Sequence, residues 1–594
     1  MKHTWRNFQD AQHPITKFSC GHIFYFITAP YGNKIMYSQI LRNSRTRISP
    51  SSVVNILEPS SIDDVNLFHV KNKIISGSCD SNIMSVCKNN SGQIYLFISA
   101  ESKLDIYPIN NIQTVVADNL ESQFDQHNHV IAAIYNQQGD IELIKPFIRF
   151  ESSARLYSKF TIDSIAIACN ISGSIEFQEF PLQLDPLGPD ITPFSFVMFV
   201  MPNLSPIWIN YIYSTGTAEI ISIDADDIGN IYICGNYSGH LYYAQDKILG
   251  ESIGINIFII KINRKGLIVW STQLGNFSSQ TSQTNICSDI SVKSDRIYIV
   301  GTFDANNLEI FNKSDLSSMS AYNSGTVGSL STDAFLVSYD TNAEPIFARN
   351  IRSQIQSNNI TVSAGWRDIL YLTMHTSDSE HRLLKMESAD VEWVLTVSDA
   401  NNLNVFVDDF GYPVIYGNYP RGVMMIESSN SNILTRQTSS SESNMFVAKY
   451  FPNGEMSWIV KQTNTAINSN IIRPIINNSS AYIFGSFVDD LELYNSDGTI
   501  GFKRGWVPTL STFMSRYEES SQIATLGMPF YDSPDIRIIS GNSSAYPVII
   551  VPENNCINNV RMIIMYGYDS NIVLSNSKVM WQVVSSLNTD IIHI

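Results

Sequence analysis

The stretch EIISIDADDIGNIYICGNYSG (219–239), resumed as NIFIIKINRKGLIVWSTQLG (256–275), decides the fold. It reads as four short apolar runs separated by Gly, Asn and Asp turns, the signature of four strands in one up-and-down antiparallel sheet. The scheme recurs downstream. DISVKSD, RIYIVGTF, DAFLVSYDTNA and EPIFARNI cover 289–351, and NVFVDDFG, YPVIYGNY, NMFVAKYFPNG and EMSWIVKQ cover 404–462. Between them, 360–398 is a copy without the second-strand glycine, and 470–520 is a weaker one. The glycines Gly235, Gly301, Gly417 and Gly485 mark equivalent second-strand positions, and Trp208, Trp270, Phe347, Trp393 and Trp458 mark equivalent fourth-strand positions. Degenerate copies extend the pattern upstream through 160–213 and 80–145, and downstream beyond 523.

A single small sheet has two apolar faces and cannot bury both. Repeats solve this by stacking on their neighbours, and radial stacking closes the array into a propeller. The expected fold is all-β: one propeller of about eight four-stranded antiparallel blades, with seven as the alternative. The expected organisation is a single domain over 1–594. In it 1–79 is an N-terminal blade or closure segment, 80–522 holds the repeated blades, and 523–594 is a C-terminal blade closing the ring.

Composition agrees with a folded β-protein. Of the 594 residues 44% are hydrophobic, 16% charged and 11% aromatic, a balance that favours a buried core over disorder and leans towards pleated surfaces. The net charge of −17 repels phosphate backbones and argues against nucleic-acid partners. The N-terminal residues lack the apolar core of a secretory leader, and no apolar run reaches the roughly 18 residues of a membrane helix. The expected location is therefore cytoplasmic or otherwise intracellular, including a virus particle. The bias towards Ile, Asn and Ser fits an AT-rich genome such as that of a large DNA virus. The seven cysteines, Cys20, Cys79, Cys87, Cys169, Cys234, Cys287 and Cys556, are odd in number and irregularly spaced. They read as reduced core residues rather than as a disulfide framework or a zinc site.

The pattern D-x-x-G-N-x-Y-x-x-G, followed by F-x-x-K, G-x-x-x-W and a last Gly, stands here as Asp226, Gly229, Asn230, Tyr232, Gly235, Phe258, Lys261, Gly266, Trp270 and Gly275. Asp333, Phe335, Phe446, Lys449, Gly454 and Trp458 continue it. Over 219–463 the chain resembles the bacterial β-propeller repeat family called SBBP. That resemblance implies the propeller fold and no particular chemistry.

If the first strand of each blade is innermost, the connections between second and third strands fall on one propeller face. These are the long ones, 236–255, 303–332, 418–443 and 486–511, whereas the other intrablade turns are tight. Long loops on a rigid scaffold are where binding concentrates. Their Tyr237, His240, Tyr242, Tyr243, Phe303, Phe311, Tyr419, Arg421 and Trp506 are the candidate contact residues for a protein partner, since aromatics among small polar residues suit such surfaces.

Chemical motifs are sparse. Asp224-Ala-Asp226-Asp227 lacks the downstream Glu of a calcium loop and reads as a turn. Asp408-Asp409 and Asp489-Asp490 lie in different loops, and His127 with His129 has no third ligand nearby. No catalytic residue, metal site or cofactor is expected. The preferred reading is a non-enzymatic structural platform for protein contacts, a component of a large assembly such as a virus particle. The alternatives are a glycan-binding module and a propeller glycoside hydrolase or lyase.

Overall fold

The computed structural model describes residues 67–519 except for loop segments, the longest of them 109–127, 185–193, 323–332 and 352–359. Outside that span it describes three paired-strand elements: His22–Thr28 with Lys34–Ile40, Arg537–Ser540 with Pro547–Ile550, and Ile572–Val573 with Gln582–Val583. The chain divides into two compact units, Asn66–Glu518 and the combined termini Met1–Val65 with Glu519–Ile594. The expected closing blade at 523–594 lies largely outside the described residues.

Every described element of the larger unit is a strand. Four-stranded antiparallel meanders begin at the inner strands Ser81–Lys88, Ser153–Phe160, Ala218–Ala225, Asn285–Lys293, Ile360–Ala364, Asn402–Val407 and Ile475–Asn477. The all-β propeller arrangement is thus present. The expectation of eight separate blades, or seven, is corrected: the larger unit forms five hydrogen-bonded sheets of four to ten strands. Sheets merge because some hairpins are long enough to reach the outer strand of the meander before them. Ile231–Tyr243 pairs with Pro206–Ser214, and Ser480–Tyr494 pairs with Met456–Thr465.

The core is a chain of shared interfaces. Ile167, Phe196 and Met198 pack with Phe97, Phe147 and Val130 of the preceding meander. Their neighbours on the opposite face, Ala166, Val197 and Phe199, pack with Ile220, Ile233 and Ile260 of the next. This is the two-faced burial that the repeat demands. The last interface joins the ends: Ile83, Leu96 and Ile98 pack with Tyr482, Phe484 and Met514. The N-terminal strand Leu67–Gly77 then supplies the outer strand of the sheet containing Ile500–Glu519, held by Leu67 N–H to Ser496 Oγ at 2.7 Å and His69 N–H to Asn495 Oδ1 at 2.7 Å. Early and late strands of the unit thereby complete one sheet.

The repeated motif residues are the joints of this array. Asp226 folds the tight turn, its carboxylate accepting the N–H groups of Ile228 and Asn230 and the Tyr232 hydroxyl at 2.8–3.2 Å. Asp408 repeats this with Phe410 and Tyr412 and forms a buried ion pair with Lys449 at 3.0 Å. Lys261 lies beside Asp226 at 4.0 Å and donates to the carbonyl of Thr341 in the next meander. The fourth-strand indoles bridge in the same way. Trp208, Trp270 and Trp393 donate to the carbonyls of Arg264, Thr341 and Pro452, each in the following meander, at 2.9–3.0 Å.

Gly235 has no room for a side chain: a Cβ there would lie 2.2 Å from the Glu219 carbonyl and 2.5 Å from the Phe258 ring. Gly301 is crowded alike by the Ile286 carbonyl and Phe335.

Candidate functional site

The inner strands expose their edges towards the propeller axis, and an uncapped edge leaves main-chain donors unsatisfied. Polar side chains of the preceding meander cap them. Ser85 Oγ accepts from Ser158 N–H, Asn170 Oδ1 from Ile220 N–H, and Asn236 Oδ1 from Cys287 N–H, all at 2.8–2.9 Å. Asp224 accepts from Val292 N–H at 2.7 Å and Asp289 from Val362 N–H at 3.0 Å, while Thr361 and Ser363 cap Val405 and Val407. Bulges at Ile83/Ser85, Ile220/Ser222 and Cys287/Asp289 aim these strands.

Asp289 also accepts from Ser222 Oγ at 2.7 Å. Burial pushes its carboxyl up to about 6, with the nearby Asp224 charge adding to the rise. A buried carboxyl with a raised pKa is a pattern shared with catalytic acids. Here the group is enclosed and its lone pairs meet main-chain and hydroxyl donors, so its visible work is to join inner strands. Asp224 is likewise engaged, by Lys159 as well as Val292. Among the described residues no cluster of three His, Cys, Asp or Glu side chains is arranged to hold a metal ion. His129 is buried within Asn128–Tyr135, and His127 lies outside the described residues.

The expected contact residues fare unevenly. Tyr237, Tyr243, Phe303, Phe311 and Tyr419 are buried, so their rings cannot meet a partner as expected. Tyr237, Phe303 and Tyr419 each follow a second-strand glycine by two residues and lie against Phe258, Phe335 and Phe446 at 6.1–6.3 Å between ring centres. They are blade packing. Phe311 leans on Phe277, and the Tyr243 hydroxyl donates to the Gly266 carbonyl. His240 and Tyr242 remain half-exposed. Arg421 and the side chain of Trp506 lie outside the described residues.

The long connections are ordered differently from loops. The stretch 236–255 is a continuation of Ile231–Tyr243 and Asp246–Ile262, and 486–511 continues Ser480–Tyr494 and Ile500–Glu519. The first hairpin presents Tyr242, stacked on Tyr213 at 5.0 Å, and Ile253, which is 64% exposed. Tyr213 was not legible as a surface residue because it lies in an ordinary apolar strand pattern, whereas Ile253 falls inside the long connection 236–255, where a preference for aromatic contact residues does not select an isoleucine.

The cysteine expectation needs one correction. Cys234 and Cys287 form a disulfide between neighbouring meanders, across a sequence separation of 53. That is close to one repeat, which sets the two residues on facing strands. Cys87 and Cys169 are free and buried as expected, with burial raising both thiols, Cys87 to about 12. Cys20, Cys79 and Cys556 lie outside the described residues. No described helix is long and apolar enough to cross a membrane.

No family model matches the chain. It is similar to an uncharacterised WD repeat-containing protein of Acanthamoeba polyphaga mimivirus, 24% identical over 347 residues that cover 54% of this chain and 23% of that protein. The chain therefore spans about a quarter of that relative's length. Among solved structures, an apocarotenoid oxygenase of Synechocystis matches at TM-score 0.28 and 9% identity, over 64% of this chain and 68% of that one. The WD40 domain of SCAP from fission yeast matches at TM-score 0.25 and 10% identity, over 79% of this chain and 92% of that domain.

Proposed function

We propose that this chain is a non-enzymatic β-propeller serving as a platform for protein contacts, a member of the SBBP-type repeat group that works inside a large assembly such as a virus particle. One observation carries the platform reading. The inner-strand carboxylates Asp224 and Asp289 are engaged in capping neighbouring strands, while the connection 236–255 is built out as a long strand hairpin that carries the exposed Ile253 and the half-exposed Tyr242. Rigid, projecting aromatic surface suits recognition at low entropic cost. The viral setting is supported by the similarity to a mimivirus protein whose name records WD repeats.

The test is capture by the full chain from its native source, with Tyr242→Ser/Ile253→Ser as the comparison. The pair should lower recovery of a stoichiometric partner at least tenfold while leaving the thermal midpoint in place. Undiminished recovery would remove this hairpin as the contact surface. A second reading, action on glycans, is favoured only by the raised Asp289 carboxyl. Release of reducing ends from a polysaccharide panel, abolished by Asp289→Asn, would replace the platform reading.

A further inference from the structure

The tight turns repeat as the strands do, and the meander that starts at Ala218–Ala225 departs from the pattern twice. The turn between its first and second strands reads Asp226-Asp227-Ile228-Gly229, where the meander starting at Ser81–Lys88 has Asn89-Asn90-Ser91-Gly92. Both turns are closed by a bond from the glycine N–H to the carbonyl three residues back. A serine therefore serves where Ile228 stands, and Ile228 is 68% exposed. The turn between third and fourth strands behaves alike. After its left-handed residue (Gly139, Ala343 or Gly454) three other meanders place Asp140, Glu344 and Glu455. Here Gly266 is followed by Leu267, which is 61% exposed. Neither the turn nor the core asks for these two side chains.

They belong to a group. Arg264, in the same turn as Leu267, pairs with Asp163 in the 161–164 turn of the preceding meander. Its side chain packs over Gly229, where an added Cβ would lie 3.0 Å from the arginine Cδ, and its carbonyl accepts the Trp208 indole N–H at 2.9 Å. Ile228 and Leu267 are thereby gathered around Arg264 with Ile162, beside Asp163, and Ile207, beside Trp208; all four are exposed. Single exposed aliphatic residues are ordinary, but a group of them rimmed by charge marks an interaction surface. Two further exposed charges stand in these turns, Asp227 and Lys265, and among the described residues neither takes part in an ion pair. The patch lies at the strand ends opposite the hairpin of Tyr242 and Ile253, since Ile231 pairs with Ile262 at one end and Tyr243 with Asp246 at the other.

We infer that this turn-side patch is a self-association surface, on which a second copy of the chain docks about a two-fold axis. A two-fold interface joins one patch to itself and so must be self-complementary. Aliphatic side chains meet their like, and the patch holds one uncompensated charge of each sign. Asp227 of each copy then faces Lys265 of the other, whereas a partner of one dominant charge would set a like charge against one of them. The inference is independent of the platform reading, because it uses the strand ends that the Tyr242 hairpin does not.

Sedimentation velocity of the full chain over a concentration series is the test, and the expected result is a monomer–dimer equilibrium. Leu267→Asp and Ile228→Ser install residues that equivalent turns already use, so folding is preserved, and an unchanged melting midpoint verifies this. Each should weaken dimerisation by about tenfold or more. Asp227→Lys and Lys265→Glu should each weaken it as well. The double variant Asp227→Lys/Lys265→Glu should recover most of that loss, because opposite charges face each other again. A chain that stays monomeric at every concentration overturns the surface. So does a dimer indifferent to Leu267→Asp and Ile228→Ser, or a double charge variant no better than the singles. Tyr242→Ser/Ile253→Ser should leave the dimer unchanged; its loss in that pair would move self-association to the hairpin and overturn this patch.

Discussion

Trp270 shows how one residue carries both packing and connection. Its ring is buried against Tyr232, with centroids 6.0 Å apart, and its indole N–H reaches the Thr341 carbonyl of the next meander. Trp270→Ala should cost about 3–5 kcal/mol in denaturant unfolding; a loss below about 1 kcal/mol would show that the ring is not a joint. Asp289 and His381 contribute in opposite directions to the dependence of stability on pH. Burial raises the Asp289 carboxyl to about 6, so its folded form holds a proton that the unfolded chain has released. Its contribution is present below the ordinary carboxyl range and is lost as pH climbs through 6. His381 is the reverse. Burial, with His375 beside it, lowers it to about 4, while its ring bonds the Ala400 carbonyl at 2.9 Å. That contribution is present above the ordinary imidazole range and is lost as pH falls through 4. Each shift is worth roughly 3 kcal/mol across its window. The two slopes oppose between pH 4 and 6. Stability measured against pH should therefore be flatter in the parent than in either variant, rising with pH in Asp289→Asn and falling in His381→Gln. Parallel profiles for all three proteins would refute the assignment.

At the level of strands and hairpins, regularity is what separates packing from presentation. Tyr237, Phe303 and Tyr419 occur at one repeated offset from Gly235, Gly301 and Gly417, and that offset alone placed them on the blade face that packs against Phe258, Phe335 and Phe446. A contact residue has no reason to recur in register, so the period itself was the missed signal. The Cys234–Cys287 staple spans two such elements. Thiol labelling of the denatured, unreduced chain should leave these two cysteines unmodified. Cys287→Ser should lower stability by roughly 2–4 kcal/mol, as for loops of this size. Full labelling without reductant would show that both thiols are free.

For the larger unit as a whole, the decisive feature is that its last sheet borrows an outer strand from its beginning. Leu67–Gly77 completes the sheet of Ile500–Glu519, and Ile83, Leu96 and Ile98 share a core with Tyr482, Phe484 and Met514. Closure of this kind makes the ends of the array mutually dependent. Deleting residues 1–77 should expose the 500–519 edge, lower the thermal midpoint by several degrees and speed hydrogen exchange first in 480–519. Unaltered exchange there would mean that the N-terminal strand is dispensable. The same scale explains why five sheets replace the expected eight blades. Ladder bonds formed by long hairpins cross from one meander to the next, and linear spacing records repeats without recording which edges later meet.

The amino-acid pattern by itself determined the four-stranded meander, its turns and its two-sided burial, because strand alternation, turn residues and second-strand glycines are local demands written at fixed offsets. Only the tertiary structure decided which edges are covered. A latch such as Leu308-Glu309-Ile310 finds its partner strand through space, and a disulfide such as Cys234–Cys287 joins residues that meet only when neighbouring meanders stack. Pairing between edges is non-local, its free energy realised only after the ring has brought them together.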